Sequence, residues 1–263
     1  MSERYTDEQI KTFWTEQAVQ HQQSPDASWS DRRVIELEIA AMLRYIADGD
    51  RLLDIGCANG YSTCAFAADR TIDAVGVDYI HEMIDAARQR LGAETLKGRV
   101  AFEVGDILQL SPTLTGFDTV VVTRVLINLG TWERQQRGLL AALGAVKPGG
   151  LLLLSEATLQ GWRQLNRFRN EWGLADIPMP PFNRYLDQDQ VIAAAEPMAT
   201  LVGVTHFAST YYVATRVFKP LLDQALGGRV DVADPHAEFN RWCAALPTAG
   251  DYGVQRLFVF KRR

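Results

Sequence analysis

The spacing of hydrophobic positions separates two helical segments from an alternating region further along the chain. Residues 6–21 are mostly polar, with an apolar edge at Ile10, Phe13 and Trp14, and this pattern predicts an amphipathic helix. Residues 31–47 carry a stronger apolar stripe, with hydrophobic side chains every three or four positions, and predict a second helix. The pattern changes to short apolar runs beyond residue 50.

From residue 51 onward, β-rich runs alternate with helical stretches. The runs are nearly continuous in apolar residues, as is typical of parallel strands that helices cover on both faces. The predicted strands are residues 51–55, 74–78, 100–104, 119–123 and 151–155. The predicted helices between them are residues 61–68, 81–91 and 132–146. This alternation predicts right-handed βαβ units in a doubly wound α/β sheet.

The order is less regular beyond residue 155. Three prolines between residues 178 and 181 separate an amphipathic helix from the elements that follow. The predicted elements are helices at 159–172, 187–195 and 211–226, and strands at 198–207 and 256–261. No linker separates a second domain, so we expect one domain in which residues 159–186 and 211–250 are insertions.

Composition and charge disfavour several classes of function. The 263 residues are 47% hydrophobic and 22% charged, with a formal net charge of -5, which is typical of a globular protein. This acidic balance disfavours a nucleic-acid partner, which usually requires a basic face. No apolar run predicts a membrane span, and the polar N-terminus is unlike a signal peptide. Three cysteines without a C-x-x-C pair indicate reduced thiols in a cytoplasmic protein.

A glycine-containing loop follows the first predicted strand in the segment Leu52-Leu-Asp-Ile-Gly-Cys-Ala-Asn-Gly60. Glycine at positions 56 and 60 lets the backbone come close to a nucleotide-like ligand. Asp54, at the end of the strand, can orient the loop or accept a hydrogen bond from an ammonium group. Taken alone, the loop is equally consistent with an ordinary βα turn.

Acidic residues also close the next two predicted strands. Asp78 follows the loop by roughly 20 residues, where an acidic residue can bond both hydroxyls of a ribose. Asp106 closes the third strand and can accept a hydrogen bond from an adenine amino group. Ligands of open α/β sheets bind at the carboxyl ends of the strands. The loop and the acidic strand ends together predict a nucleoside-binding crevice.

Five pieces of sequence between residues 50 and 158 occur in a family-specific order. They are Leu53-Asp-Ile-Gly-Cys-Ala-Asn-Gly, Gly76-Val-Asp-Tyr, Val104-Gly-Asp-Ile, Phe117-Asp-Thr-Val-Val-Val and Lys147-Pro-Gly-Gly-Leu-Leu-Leu. In this order they resemble the class I S-adenosylmethionine-dependent methyltransferases. The resemblance implies a Rossmann-like, seven-stranded sheet whose last strand is antiparallel, and S-adenosylmethionine as the methyl donor. A dinucleotide-dependent oxidoreductase is disfavoured because the loop lacks the G-x-G-x-x-G pattern.

The same resemblance implies a set of donor-binding residues. The loop glycines would pass under the methionine part of the donor, and Asp78 would hold the ribose. Asp106 would meet the adenine amine, with Tyr79 and Ile107 flanking the ring. Ala58 stands where many family members have a glycine, so we expect a slight shift of the loop. The expected donor-binding residues are Asp54, Gly56, Cys57, Asn59, Gly60, Asp78, Tyr79, Met83, Asp106, Ile107, Thr123 and Arg124.

The acceptor side is expected at the carboxyl ends of the fourth to sixth strands. A methyltransferase must align its acceptor and exclude water, and a hydroxyl acceptor can also require a general base. His206 and Glu156 are the candidate catalytic residues, although a structural role is equally ordinary for Glu156 and is the more common role of a histidine on a strand. The fourth strand does not end in the Asn-Pro-Pro-Tyr run of many amino-methylating enzymes, which favours oxygen as the acceptor atom.

Basic and aromatic residues of the insertions are candidates for acceptor binding. Arg163 and Arg167 lie one helical turn apart, and with Arg216 they could clamp a carboxylate or phosphate. Tyr211 and Tyr212 could line the same pocket. We therefore expect a small polar acceptor, anionic if the clamp forms. A solvated helix face is the alternative interpretation of the two helical arginines.

These observations predict methyl transfer from S-adenosylmethionine to a small molecule. Residues 1–48 would form a helical lid, residues 49–158 the donor-binding core, and the two insertions the acceptor side. Alternatives that remain are transfer to nitrogen or carbon, and a module that binds the donor without turnover. No metal, nucleic acid or membrane is expected as a partner. The oligomeric state stays open, with a homodimer among the alternatives.

Overall fold

A computed structural model describes residues 5–229, 231–232 and 234–263 of the chain. Residues 1–4 of the expected lid, and residues 230 and 233 of the expected 211–250 insertion, lie outside the described residues. The strands are β1 (Arg51–Ile55), β2 (Asp73–Asp78), β3 (Arg99–Val104), β4 (Phe117–Thr123), β5 (Val146–Ala157), β6 (Ala199–Thr205) and β7 (Gln255–Arg262). The helices are α1 (Asp7–His21), α2 (Arg32–Met42), α3 (Tyr61–Asp69), α4 (His81–Leu91), α5 (Trp132–Ala145), α6 (Leu159–Glu171), α7 (Gln188–Ala195), α8 (Ser209–Val213), α9 (Lys219–Ala225) and α10 (Glu238–Ala244).

Within the described residues, the seven strands form one sheet in the order β3-β2-β1-β4-β5-β7-β6. Neighbouring strands from β3 to β5 are parallel, and β7 is antiparallel to both β5 and β6. This topology confirms the doubly wound α/β sheet and its antiparallel last strand. The strand order reverses between β1 and β4, and the crevice that such a reversal creates is where ligands of open α/β sheets bind.

The central strands owe their continuous apolar runs to burial on both faces of the sheet. Leu52 and Leu53 on β1, and the neighbouring Val120–Val122 on β4, are almost completely inaccessible to solvent. Phe258 and Phe260 of β7 are buried in the same core. Helices cover both faces, so a strand gains by being apolar at every position rather than at alternate positions.

Two element boundaries differ from the sequence prediction for local reasons. α2 ends at Met42 rather than continuing to residue 47, because the chain turns there, with the Tyr45 N–H donating to the Met42 carbonyl at 2.9 Å. The helix predicted at 211–226 begins earlier, at Ser209, and contains a π-helical segment, Ala214–Phe218. The Thr215 hydroxyl donates to the Tyr211 carbonyl at 2.6 Å in that segment.

Candidate functional site

A cavity of about 560 Å³ lies at the carboxyl ends of β1, β2 and β4. Its volume falls within the range of small-molecule sites, about 300–1,000 Å³. Its wall includes these residues from the predicted donor set: Asp54, Gly56, Cys57, Asn59, Asp78, Tyr79, Met83, Asp106, Ile107, Thr123 and Arg124. Residues that follow four different strands are therefore brought together at one edge of the sheet.

Gly60 belongs to the predicted set but is absent from this wall among the residues that the structure describes. Its φ is +73°, and it precedes the first turn of α3. A Cβ at this position would come within 2.5 Å of Phe102 Cζ. The glycine is required by packing against β3 and by the left-handed backbone.

Gly56 lets the loop pack tightly against the residue that follows β4. A Cβ on Gly56 would lie 2.1 Å from Cγ2 of Val125, and the φ of Gly56 is +78°. The Gly56 and Cys57 N–H groups both donate to the carbonyl of Val77, at 2.7 and 3.0 Å. The loop is thus fixed by β2 on one side and by the end of β4 on the other.

Ala58 adopts the left-handed conformation that favours glycine, with a φ of +46°. For an L-residue this conformation costs about 1–2 kcal/mol. Its N–H donates to Asp78 Oδ2 at 3.0 Å. The strained residue therefore supplies one of the hydrogen bonds that orient the Asp78 carboxylate.

Asp78 is held in place by backbone donors on both carboxylate oxygens. Besides Ala58, the Ile80 N–H donates to Oδ1 at 2.9 Å. Burial raises the pKa of the Asp78 carboxyl to about 6, against the opposing effect of these hydrogen bonds. Each oxygen retains capacity for a further donor, so the side chain can accept hydrogen bonds from a ligand in the cavity.

The other acidic strand ends are oriented in the same way. Asp54 accepts a hydrogen bond from the Thr63 hydroxyl at 2.6 Å, and burial raises its pKa to about 6. Asp106 accepts from the Leu108 N–H at 2.8 Å. Carboxylates fixed by neighbouring groups lose little freedom when they bind a ligand.

Asn59 and Cys57 take part in the loop structure as well as in the cavity wall. The Asn59 amide donates to the carbonyls of Gln22 and Ser24, at 2.8 and 2.6 Å. These bonds tie the loop to the segment that follows α1. Cys57 is buried, and burial raises the pKa of its thiol well above the usual value, so the thiolate is disfavoured.

Helix α1 forms one side of the cavity, here called its roof, and belongs to the 1–48 segment that is expected to act as a lid. Asp7, Glu8, Ile10, Lys11 and Trp14 line the cavity wall. The Thr6 side chain and the third helical residue form a capping box, which marks the start of the helix in sequence but not its position in space.

Two contacts fasten the roof at the N-terminal half of α1. Asp7 forms an ion pair with Arg134 in the first turn of α5, with Nη1 at 2.8 and 2.6 Å from the two carboxylate oxygens. Phe13, Trp14 and Phe182 form an aromatic cluster, in which the Phe13 and Phe182 ring centroids are 4.8 Å apart.

Arg124 lies in the cavity wall and is paired with a residue that sequence reasoning missed. Its guanidinium forms an ion pair with Glu38 of α2 and lies over the Trp29 ring, 5.3 Å from the centroid. The second Glu38 oxygen accepts a hydrogen bond from the Ser155 hydroxyl. Glu38 looked like an ordinary helix residue because its partners are far away in sequence.

The two candidate catalytic residues are not found in the cavity wall as the described residues define it. Glu156 is fully buried and accepts from the N–H groups of Val125 and Leu126, at 2.8 and 2.7 Å, and from that of Ile127. Burial raises its pKa to about 8. Burial also lowers the pKa of His206. Glu156 thus anchors the turn after β4, and catalysis by either residue stays a prediction without geometric support.

The predicted acceptor clamp is not assembled. Arg163 and Arg167 are exposed on α6. Arg216 instead forms an ion pair with Asp31 and lies over the rings of Tyr211 and Tyr212, at 5.6 and 5.2 Å from their centroids. Within the described part of the chain, none of these five predicted residues reaches the cavity wall. Asp31 already neutralises Arg216, so an anion gains little there.

The fold is Rossmann-like, and a cavity of ligand-binding size lies at the carboxyl ends of its strands. A family model described as a methyltransferase domain matches residues 46–176. The chain belongs to the class I S-adenosylmethionine-dependent methyltransferases, whose methyl donor is S-adenosylmethionine. In the described ranges, no helix is long and apolar enough to cross a membrane.

Individual relatives support the family at low identity. The chain is 27% identical over 192 residues to 27-O-demethylrifamycin SV methyltransferase of Amycolatopsis mediterranei (strain S699), covering 72% of this chain and 69% of that protein. It is 26% identical over 111 residues to O-methyltransferase cnsE of Penicillium expansum, covering 42% of this chain and 39% of the relative. The N-methyltransferase NodS of Bradyrhizobium japonicum WM9, solved with S-adenosyl-L-homocysteine, is similar in fold, with a TM-score of 0.52, 18% identity and coverage of 94% and 97%.

Proposed function

We propose that this enzyme transfers the methyl group of S-adenosylmethionine to an oxygen atom of a small, uncharged polar molecule. The observation that carries this proposal is the single cavity faced by Asp54, Asp78 and Asp106, at the ends of three adjacent strands. When bound, the donor supplies a methyl group already activated by its sulfonium. The task left to the protein is to bind, orient and exclude water.

The carboxylates would hold the donor in the order in which their strands lie in the sheet. Asp106, after β3, would accept from the adenine amine, and Ile107 and Tyr79 would contact the ring. Asp78, the last residue of β2, would accept from the ribose hydroxyls. Asp54, near the end of β1, would attract the donor's ammonium group. The backbone bonds to Asp78 and Asp106 hold these side chains in place before the ligand arrives.

We propose that residues 1–48 act as a lid over the donor-binding core of residues 49–158. Ile10 and Trp14 place apolar surface over the cavity, and the Asp7–Arg134 ion pair fastens that surface to α5. A closed roof excludes water from the reacting centre. Donor exchange then requires α1 to move.

Two considerations favour an uncharged oxygen acceptor. The chain lacks an Asn-Pro-Pro-Tyr run at the end of β4, and two relatives are named for O-methylation. Carboxylates already pair with Arg134 and Arg216, and Arg163 and Arg167 lie outside the described cavity wall, which disfavours an anionic acceptor. Transfer to nitrogen is the second candidate, since the similar NodS fold is named as an N-methyltransferase.

Calorimetric titration with S-adenosylhomocysteine tests the donor site. Asp78→Ala is expected to weaken binding by about 1–3 kcal/mol, because it removes charged acceptors from a buried site. Asp73→Ala is the matched control: Asp73 begins the same strand, but its carboxylate forms an exposed ion pair with Arg99. Absence of binding to the wild-type protein at high micromolar ligand would refute the proposal. Product analysis with a set of hydroxyl and amine acceptors then identifies the methylated atom.

A further inference from the structure

We propose that Glu38 is a positioning residue for the carboxylate of the donor's amino-acid tail, and that it acts by holding the guanidinium of Arg124. This inference rests on the proposed donor site. It concerns a residue of α2 that lies outside the cavity wall, and it assigns an electrostatic role to the end of the cavity opposite Asp106.

The sheet order determines which end of the cavity receives the tail. Asp106 and Arg124 follow β3 and β4, Asp78 is the last residue of β2, and Asp54 lies near the end of β1. These strands are consecutive neighbours, in the order β3-β2-β1-β4. Adjacent strands are about 4.8 Å apart, so the row spans roughly 14 Å. A nucleoside with its base at Asp106 and its ribose at Asp78 must extend its tail toward β1 and β4. Arg124, directly after β4, is a cationic side chain at that end, whereas the other described cations of the wall, Lys11 and Arg134, lie on α1 and α5.

The charges at this end match an amino-acid tail. Such a tail carries one ammonium and one carboxylate group. Asp54 offers a carboxylate to the ammonium, and Arg124 offers N–H donors to the carboxylate. Val125, the next residue, fills the space that a Gly56 side chain would need, with Cγ2 only 2.1 Å from the position of a Gly56 Cβ, so the segment after β4 packs directly on the glycine loop.

Glu38 fixes the orientation of Arg124. The Glu38 side chain is only 2% exposed, and it engages Nη1 of the guanidinium while Ser155 occupies its other oxygen. Trp29 supports the flat face of the guanidinium. A free arginine side chain loses considerable rotamer entropy on binding, and a guanidinium already held by a carboxylate and a ring loses less. The remaining N–H groups stay available for a ligand carboxylate.

The test compares two ligands that differ in the tail. S-adenosylhomocysteine has the amino-acid group, and 5′-methylthioadenosine lacks it but keeps the nucleoside and the sulfur. In calorimetric titrations, Glu38→Gln is expected to weaken S-adenosylhomocysteine binding by about tenfold, and to leave methylthioadenosine binding within about twofold. Arg124→Gln is expected to lose at least as much. The double variant is expected to lose no more than Arg124→Gln alone, because Glu38 acts through Arg124.

Asp31→Asn is the matched control. Asp31 is also a buried carboxylate on α2 that pairs with an arginine, but its partner Arg216 is not part of the described cavity wall. We expect it to leave the affinity ratio of the two ligands unchanged. Thermal unfolding shows whether each variant is folded. If Glu38→Gln fails to fold, Ser155→Ala removes one partner of Glu38 and is expected to weaken S-adenosylhomocysteine binding by a smaller factor.

The outcomes separate this inference from the proposed function. If the wild-type protein binds neither ligand, the donor site itself is refuted. The role of Glu38 is overturned if the wild type binds both ligands and Glu38→Gln weakens them equally, or if the losses from the two single variants add. An Arg124→Gln variant with unchanged S-adenosylhomocysteine affinity overturns it as well.

Discussion

Burial raises the proton affinity of two aspartates in the cavity wall. Asp54 and Asp78 both have a pKa raised to about 6, mainly because burial disfavours their charged form. An ordinary aspartate has a pKa of about 4, so it is already ionised at a pH well below 6. The cavity therefore holds carboxylates that change charge just below neutrality, and a ligand with ammonium and hydroxyl donors selects their ionised form.

Donor affinity is expected to fall as the pH is lowered through 6. Each carboxylate that must be ionised for binding is expected to cost about tenfold in affinity at one pH unit below its pKa. Titration with S-adenosylhomocysteine between about pH 7.5 and about pH 5, with the ionic strength held constant, measures this loss of affinity. Asp78→Asn is expected to bind weakly but with a flatter pH profile. An affinity that rises on acidification contradicts the assignment.

The same pKa shifts have the opposite effect on the stability of the free protein. A group whose pKa is raised on folding contributes stability that is present below its unfolded pKa and is lost as the pH rises through the folded value. Asp54 and Asp78 therefore favour the folded state more at pH 4 than at pH 7. The ligand-bound protein lacks this contribution, since binding keeps the carboxylates ionised.

At the scale of elements, the turns and helices around the cavity depend on single side chains that reach across the fold. Glu156 of β5 caps the N–H groups that follow β4. Asn59 ties the glycine loop to the segment after α1. Arg134 of α5 holds the first turn of α1. Each contact fixes an element that lines the cavity.

Substitution of Glu156 distinguishes a structural role from catalysis. Glu156→Ala leaves backbone N–H groups at 125–127 without their acceptor, and we expect it to lower the free energy of unfolding by about 3 kcal/mol or more. Glu156→Gln keeps an acceptor oxygen and is expected to cost less and to bind S-adenosylhomocysteine normally. Urea denaturation and calorimetry measure both. A stable Glu156→Gln variant that binds donor but transfers no methyl group restores the catalytic assignment.

The Asp7–Arg134 ion pair is expected to slow release of the donor. Both side chains are partly exposed, so an ion pair of this kind contributes only about 0.2–1 kcal/mol, and Arg134→Gln should speed S-adenosylhomocysteine dissociation by about two- to fivefold. Stopped-flow fluorescence of Trp14, which lines the cavity, reports the rate. Glu16→Gln, on an exposed position of α1, is the control and should leave the rate unchanged. A faster rate in the control too indicates a general effect of charge.

At the scale of the whole molecule, two regions contact α2 at different points, one at its N-cap Asp31 and one at Glu38, about two helical turns further on. The donor cavity reaches α2 through Arg124 and Glu38. The 211–250 insertion reaches it through Asp31, which accepts from Arg216 and from the Tyr211 hydroxyl at 2.9 Å. Asn240 of α10 donates in turn to Tyr211, at 3.1 Å. The insertion is therefore anchored by its own network, separate from the donor.

Ligand binding is expected to change the rate of amide hydrogen exchange around the cavity but not in the insertion helices α9 and α10. S-adenosylhomocysteine should slow exchange in α1 and in residues 54–60, because it stabilises the closed roof and the loop. Exchange in α9 and α10 should change little, since their contacts lie away from the cavity. Protection that extends to α10 contradicts this separation and indicates coupling through Asp31.

The sequence by itself determined the parts of this protein that local spacing encodes. A strand buried on both faces must be apolar throughout, so the strands could be predicted from the sequence. A βα turn close to a ligand must consist of small residues, so the glycine loop could be predicted as well. Asp78 ends its strand and Asp106 lies two residues past the end of its strand, so both positions could be read from the strand pattern. The positions that line the cavity were predicted well wherever they are adjacent to a strand end.

Only the tertiary structure decided which distant segments meet. Glu38 and Arg124 are 86 residues apart, and Asp31 and Arg216 are 185 apart, and no local periodicity encodes either pairing. The same holds for α1, whose contacts with Arg134 and Phe182 join segments that are distant in sequence. Glu156 and Arg216 have side chains suited to catalysis or anion binding. Each is instead satisfied within the protein, because a buried charge or hydrogen-bonding group must find a partner and the fold supplies one.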